Sequence, residues 1–168
     1  MRRIGHFRFR QVAVTPEFNV ALFAFLLHFP WEFLQVPLFA AMPEMAHWDA
    51  VKFCTRATLG DVAIALTAFW LVAGWRRERA WLLRPDPRAV ALFVAVGLVI
   101  TLGLEWHATE LQGRWQYAEH MPRLPWLGTG LAPLLQWLVL PLLLLFLVRR
   151  QVVGARRLAA GEPPCDGT

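Results

Sequence analysis

Residues 127–148 read LGTGLAPLLQWLVLPLLLLFLV, and Arg149-Arg150 follow at once. The stretch carries no charge, and a transmembrane helix needs about 20 mostly apolar residues. A basic pair at its end marks where such a helix leaves the apolar phase. Three further stretches repeat the pattern, at 18–40, 60–75 and 89–106, the second reaching back toward Arg56. The sequence therefore predicts an all-α fold, a four-helix transmembrane bundle. A single membrane domain occupies 1–150, and 151–168 is a disordered cytoplasmic tail.

Composition agrees. Apolar residues make up 57% of the 168 positions and charged residues 17%. A soluble domain holds roughly 45–50% apolar and about 25% charged residues. Disorder is excluded, because it requires low hydrophobicity. The net charge of +5 is consistent with nucleic-acid binding, but the placement of the charge is not. Arg2, Arg3, Arg8 and Arg10 precede the first span. Arg76, Arg77, Arg79, Arg84 and Arg88 join the second to the third. Arg149, Arg150, Arg156 and Arg157 follow the fourth. The other two loops carry only Lys52, Arg56, Arg114 and Arg123. The positive-inside rule then predicts both termini inside, with 13 basic residues cytoplasmic and 4 external. Such charge lies beside anionic lipid headgroups, so no nucleic-acid partner is expected. The expected location is a bacterial inner (plasma) membrane. Glu32, Pro30 and Pro37 interrupt the first span, and cleavage after Ala40 or Ala41 would put Leu38 or Phe39 where a small residue belongs. The first span reads as an uncleaved anchor.

Cys54 falls in the first outer loop and Cys165 in the tail, on opposite sides of the bilayer, so they cannot pair. Between Glu44 and Arg56, helical spacing of Met45, Trp48, Val51, Cys54 and Thr55 predicts a short helix lying in the outer interface. Trp48, Trp106, Trp115 and Trp126 map to the outer boundary and Trp75 and Trp81 to the inner one, as an aromatic belt requires.

Polar groups inside a bilayer are costly and are usually functional or paired with one another. Glu32, Asp61, Glu105 and Gln136 all fall in the outer half of their spans. His28, Glu32 and Gln35 stand at i, i+4 and i+7, on one helix face. Pro30 removes one backbone donor beside them, which can kink the helix and widen a pocket. A protonated carboxyl facing an apolar ligand can act as a general acid; the same Glu32 can equally be a structural carboxylate bonded to His28. Asp61 follows Gly60 and has the alternative of capping the second helix. His107, Glu110 and Glu119 fit ordinary interfacial polarity, and Gln136 a helix-packing hydrogen bond. His28, Glu32, His107 and Glu110 could supply metal ligands, but their spacing matches no metal motif. No metal and no cofactor is expected, and no phosphate loop, nucleophile elbow or CxxC is present.

The pattern Glu110-x-x-Gly113-x-Trp115-x-Tyr117, then Met121-Pro122, Pro125, Gly130-Leu131-x-Pro133 and Gln136-Trp137, joins the earlier His28-Phe29-Pro30-Trp31-Glu32. Together they resemble small integral membrane proteins of carotenoid biosynthesis, the lycopene cyclase domain and carotenoid hydratase-like proteins. The cyclase domain has a proline followed closely by two acids. Here Pro30 and Glu32 match one acidic position and Phe33 stands at the other, while Pro133 is followed by Leu134, Leu135 and Gln136. The resemblance implies acid chemistry of the cyclase or hydratase type on an isoprenoid-like lipid. In it Glu32 protonates a double bond, and Asp61 or Glu105 stabilises the cation or takes a proton back. His28, Trp31, Gln35, Trp106 and Gln136 would contact the substrate, and Trp31 and Trp106 would add cation–π stabilisation. The expected ligand is a membrane lipid or isoprenoid. A homo-oligomer or a partner membrane protein is compatible with it. Two other readings stay open: a non-enzymatic membrane subunit or lipid-binding protein, and a proton-coupled transporter.

Overall fold

The computed structural model describes residues 14–126 and 128–160. Arg2, Arg3, Arg8 and Arg10, Leu127 at the expected start of the fourth span, and Cys165 lie outside the described residues. Four long helices follow one another: α1 (Pro16–Gln35), α2 (His47–Arg76), α3 (Pro87–Trp106) and α4 (Leu131–Ala159). All four are long and apolar enough to cross a membrane. They form an antiparallel ring in which α1 packs on α2, α2 on α3, α3 on α4, and α4 on α1.

Local chemistry sets the ends. Pro16 opens α1 at a position where its missing N–H costs nothing. The helix runs on through Pro30 and tightens into a single 3₁₀ turn at Val36–Leu38. Arg77 closes α2 in the left-handed conformation, φ 52°, with its N–H directed at the carbonyls of Ala73 and Gly74. Asp86 caps α3 by accepting from the backbone N–H groups of Arg88 and Ala89 at 2.9 Å each, and its carboxylate also pairs with Arg76. The Ala89 N–H, more than the Arg76 guanidinium, holds the Asp86 carboxyl below its usual range. Before α4, Gly128 sits at φ 65° and Gly130 is extended, so the helix begins at Leu131 rather than at 127.

The ring has two unlike ends. One, here the arginine end, carries the short Arg77–Asp86 link. Its interior is built on an apolar cluster that includes Phe69, Val72, Trp81, Phe93 and Val148, with Asn19 of α1 buried at the same end. Trp81 is fully buried and donates its indole N–H to the carbonyl of Phe69 at 3.3 Å. This corrects its place in the aromatic belt. The 3₁₀ turn Trp81–Leu83 folds the ring back between α2 and α3, where it plugs the bundle. The other, loop end is closed by the two long connections. Ala40 and Ala118 donate to Gln116 and Leu38 carbonyls at 2.9 Å each, tying the connections together. Phe39, Met42, Cys54, Tyr117 and Met121 form a second small core beneath that pairing.

Two further expectations change. The stretch 47–56 does not form a separate interfacial helix; it is the beginning of α2, because no proline interrupts the chain before Arg76 and Thr55 and Thr58 return hydrogen bonds to the carbonyls four residues earlier. Residues 151–159, expected in the disordered tail, continue α4, and Val152 is buried against the bundle.

Candidate functional site

The face predicted on α1 is realised. His28, Glu32 and Gln35 are all buried and point into the ring. Asp61 comes from the middle of α2, so it is no cap. Gln136 and Trp137 come from α4. The amide nitrogen of Gln136 stands 2.8 Å from His28 Nδ1, 3.0 Å from Glu32 Oε1 and 3.1 Å from Asp61 Oδ2. His28 Nδ1 is itself 3.2 Å from Asp61 Oδ2. A primary amide has two hydrogens to donate; with the ring hydrogen of neutral His28 on Nδ1, the imidazole donates to Asp61 Oδ2 and the two amide hydrogens serve the oxygens of Glu32 and Asp61. Trp137 fixes the other oxygen of Asp61, donating its indole N–H at 3.2 Å, and its ring lies 5.2 Å from that of His28. Gly97 of α3 makes room for it, since a Cβ there would stand 2.1 Å from the Trp137 ring.

Glu105, near the end of α3, is held separately. Its Oε2 accepts from the Tyr117 hydroxyl at 2.5 Å and from the Trp115 indole at 3.4 Å. Burial, and next the Glu105 carboxylate, push the Tyr117 phenol well above its usual range; the phenol keeps its proton and remains a donor. Directly after Glu105, α3 loosens into a π-helical turn at His107–Leu111. Such turns are found frequently at functional sites.

Between these groups lies a cavity of about 560 Å³. Glu32, Asp61 and Glu105 line it from three different helices, with Gln35 and Gln136 beside them. Apolar groups such as Phe39, Phe53 and Ile64 form much of the remaining wall. Two lining residues carry buried oxygens without a hydrogen-bond partner, Gln35 Oε1 and Thr101 Oγ1. They are the polar atoms a ligand would be expected to meet.

Of the residues singled out in the sequence, Glu32, Asp61, Glu105, Gln35 and Gln136 are brought to this cavity. His28 stands behind it as a partner of Asp61 and Gln136. Trp31 and Trp106 do not line it, and Trp106 is half exposed. His28, Glu32, His107 and Glu110 do not gather, and among the described residues no group of three or more His, Cys, Asp or Glu could hold a metal ion. Sequence reasoning missed Trp137, Tyr117, Thr101, Arg56 and Arg114. It also placed Trp115 in the belt, whereas Trp115 lines the cavity. The signal for Trp115 and Tyr117 was the Gly113-x-Trp115-x-Tyr117 pattern. For Trp137 it was only adjacency to Gln136. Compared with family models, curated proteins and solved structures, the chain gives no match.

Proposed function

We propose that the chain is an integral membrane protein of a bacterial inner membrane that performs acid–base chemistry on an isoprenoid-like apolar lipid in this cavity. The observation that carries the reading is the meeting of three carboxyl groups, from three helices, in one largely apolar chamber. The apolar part of the wall limits the water that competes for a carboxylic acid's proton. Glu32 gives its proton to one carbon of a double bond; a C–H bond forms and the neighbouring carbon becomes a cation. Asp61 or Glu105 stabilises that cation. In a cyclase reaction a second double bond of the lipid attacks that cation, the ring C–C bond forms, and the new cation loses a proton to Asp61 or Glu105. In a hydratase reaction water attacks the cation and the resulting oxonium gives its extra proton to Asp61 or Glu105. The aromatic role expected of Trp31 and Trp106 passes to Trp115, which lines the chamber and can face a cation. The charge distribution supports an orientation with the arginine end and both termini cytoplasmic and the cavity in the outer half.

A second reading rests on a different observation. The Gln136 amide alone joins α1, α2 and α4. A cluster of that kind serves equally well as the lock of a non-enzymatic subunit that binds lipid or a partner protein. The apolar packing of the arginine end speaks against a proton path through a single chain. Purification of the full chain in detergent, with mass spectrometry and absorbance of co-extracted lipid, tests the proposal. A bound isoprenoid is expected; a preparation holding no isoprenoid and a stoichiometric partner protein would favour the second reading.

A further inference from the structure

The loop end carries four basic residues, and they divide into two kinds. Lys52 pairs with Asp49 at 2.6 Å. Arg123 donates to the Tyr117 carbonyl at 3.1 Å and lies over the Tyr117 ring at 5.2 Å. The other two, Arg56 and Arg114, both line the cavity, and among the described residues neither guanidinium has an ion pair, hydrogen bond or ring contact. Both residues are exposed, which puts them where the chamber opens.

The cavity is thus polarised along the bundle axis. Arg56 precedes Asp61 by five residues on α2, which is about 7.5 Å toward the loop end at 1.5 Å per residue. Arg114 lies beyond the π-helical turn, in the connection itself. Unpaired cations stand at the mouth and Asp61 stands deeper, with Gln35 Oε1 and Thr101 Oγ1 still open to a partner. A wholly apolar hydrocarbon would leave the two guanidinium groups unused. A guanidinium is suited to bidentate contact with phosphate oxygens.

We infer that the ligand of this cavity is a phosphate-bearing lipid, its headgroup held by Arg56 and Arg114 and its chain running inward to Glu32, Asp61 and Glu105. This rests on the proposed lipid site and names its ligand class. The phosphate could belong to an isoprenoid monophosphate or to a bilayer phospholipid, and the two sources can be told apart.

The test is binding by the full chain in neutral detergent, followed by native mass spectrometry. The probes are farnesyl phosphate, farnesol, phosphatidylglycerol and diacylglycerol. Farnesyl phosphate is expected to bind at least about tenfold more tightly than farnesol, with an affinity that falls as ionic strength rises. R56Q/R114Q should remove the difference and R56K/R114K should keep most of it. K52Q, whose cation is already paired, should change nothing. If R56Q/R114Q does not fold, the salt titration and the lysine variant decide. Arginine-dependent capture of phosphatidylglycerol but not of farnesyl phosphate would uphold the headgroup site and overturn the isoprenoid reading. Equal binding of farnesol and farnesyl phosphate, unchanged in R56Q/R114Q, would overturn the headgroup inference and leave the isoprenoid reading standing. Binding of none of the four probes would overturn both.

Discussion

The indole N–H of Trp137 reaches Asp61 across 3.2 Å, from α4 to α2, and it does so over the bare backbone of Gly97 on α3. Three helices are needed to place one hydrogen bond on one carboxyl oxygen. The opposite oxygen of Asp61 faces His28 and Gln136. Asp61 is thereby fixed in orientation, as a group that must receive or release a proton needs to be.

Gly97→Ala is the direct probe of that arrangement. The added methyl would stand 2.1 Å from the Trp137 ring, so the ring must move. A loss of about 1–3 kcal/mol is expected, the usual range for overpacking. Gly103→Ala, where nothing lies within 4 Å, should leave thermal unfolding in detergent unchanged or slightly improved. Equal melting of the two variants would refute the packing argument.

Tyr117→Phe removes the 2.5 Å bond to Glu105 and leaves that carboxylate with the Trp115 indole. A buried acceptor deprived of a donor costs roughly 1–3 kcal/mol. The variant should melt earlier than the wild type, and Glu105→Gln should lose less when combined with it than alone. Simple additivity of the two changes would show that the pair does not interact.

The cap of α3 should respond to pH. The folded-state pKa of Asp86 is lowered, chiefly by the Ala89 N–H. Its contribution is therefore fully present above the ordinary aspartate value of about 3.9. It is lost as pH falls through the lower folded value. Asp86→Asn should melt below the wild type at neutral pH, and the gap should close in strong acid. A gap independent of pH would mean that the carboxylate charge is not what caps the helix.

Orientation is checked with reporter fusions. Fusions after Arg79 and Arg150 should read cytoplasmic, and fusions near Asp49 and Glu119 external, because in the sequence 13 of the 17 basic residues precede the first span, join the second to the third, or follow the fourth. External labelling of a cysteine placed at Arg79 would overturn the assignment.

The four apolar runs were legible because length and lack of charge are sufficient for a spanning helix. So was the α1 face of His28, Glu32 and Gln35, since a helical period fixes which residues share a side. The limits were equally physical. Trp81 reads as a belt residue by position, and only the tertiary turn that follows α2 buries it. Trp115 and Tyr117 reach Glu105 through the folded connection, over 10 and 12 residues, a distance at which periodicity says nothing. The interfacial helix was read from amphipathic spacing, yet uninterrupted backbone bonding carries that stretch straight into α2. Arg56 and Arg114 counted only as loop charges until their lack of partners became visible.

The central claim is that Glu32 delivers a proton to carbon. Incubation of the full chain with its co-extracted lipid in heavy water, followed by mass spectrometry of the lipid, reads that event directly. Protonation from Glu32 should place deuterium in a new, non-exchanging C–D bond. Glu32→Gln should lower the rate of incorporation by about 10²–10⁴-fold, the range for loss of a general acid, while melting close to the wild type. Glu32→Leu serves as the measure of a purely structural loss, since it removes the oxygen that accepts from the Gln136 amide at 3.0 Å. Deuterium entering the lipid at the same rate in wild type and Glu32→Gln, or not at all in the wild type, would contradict the account.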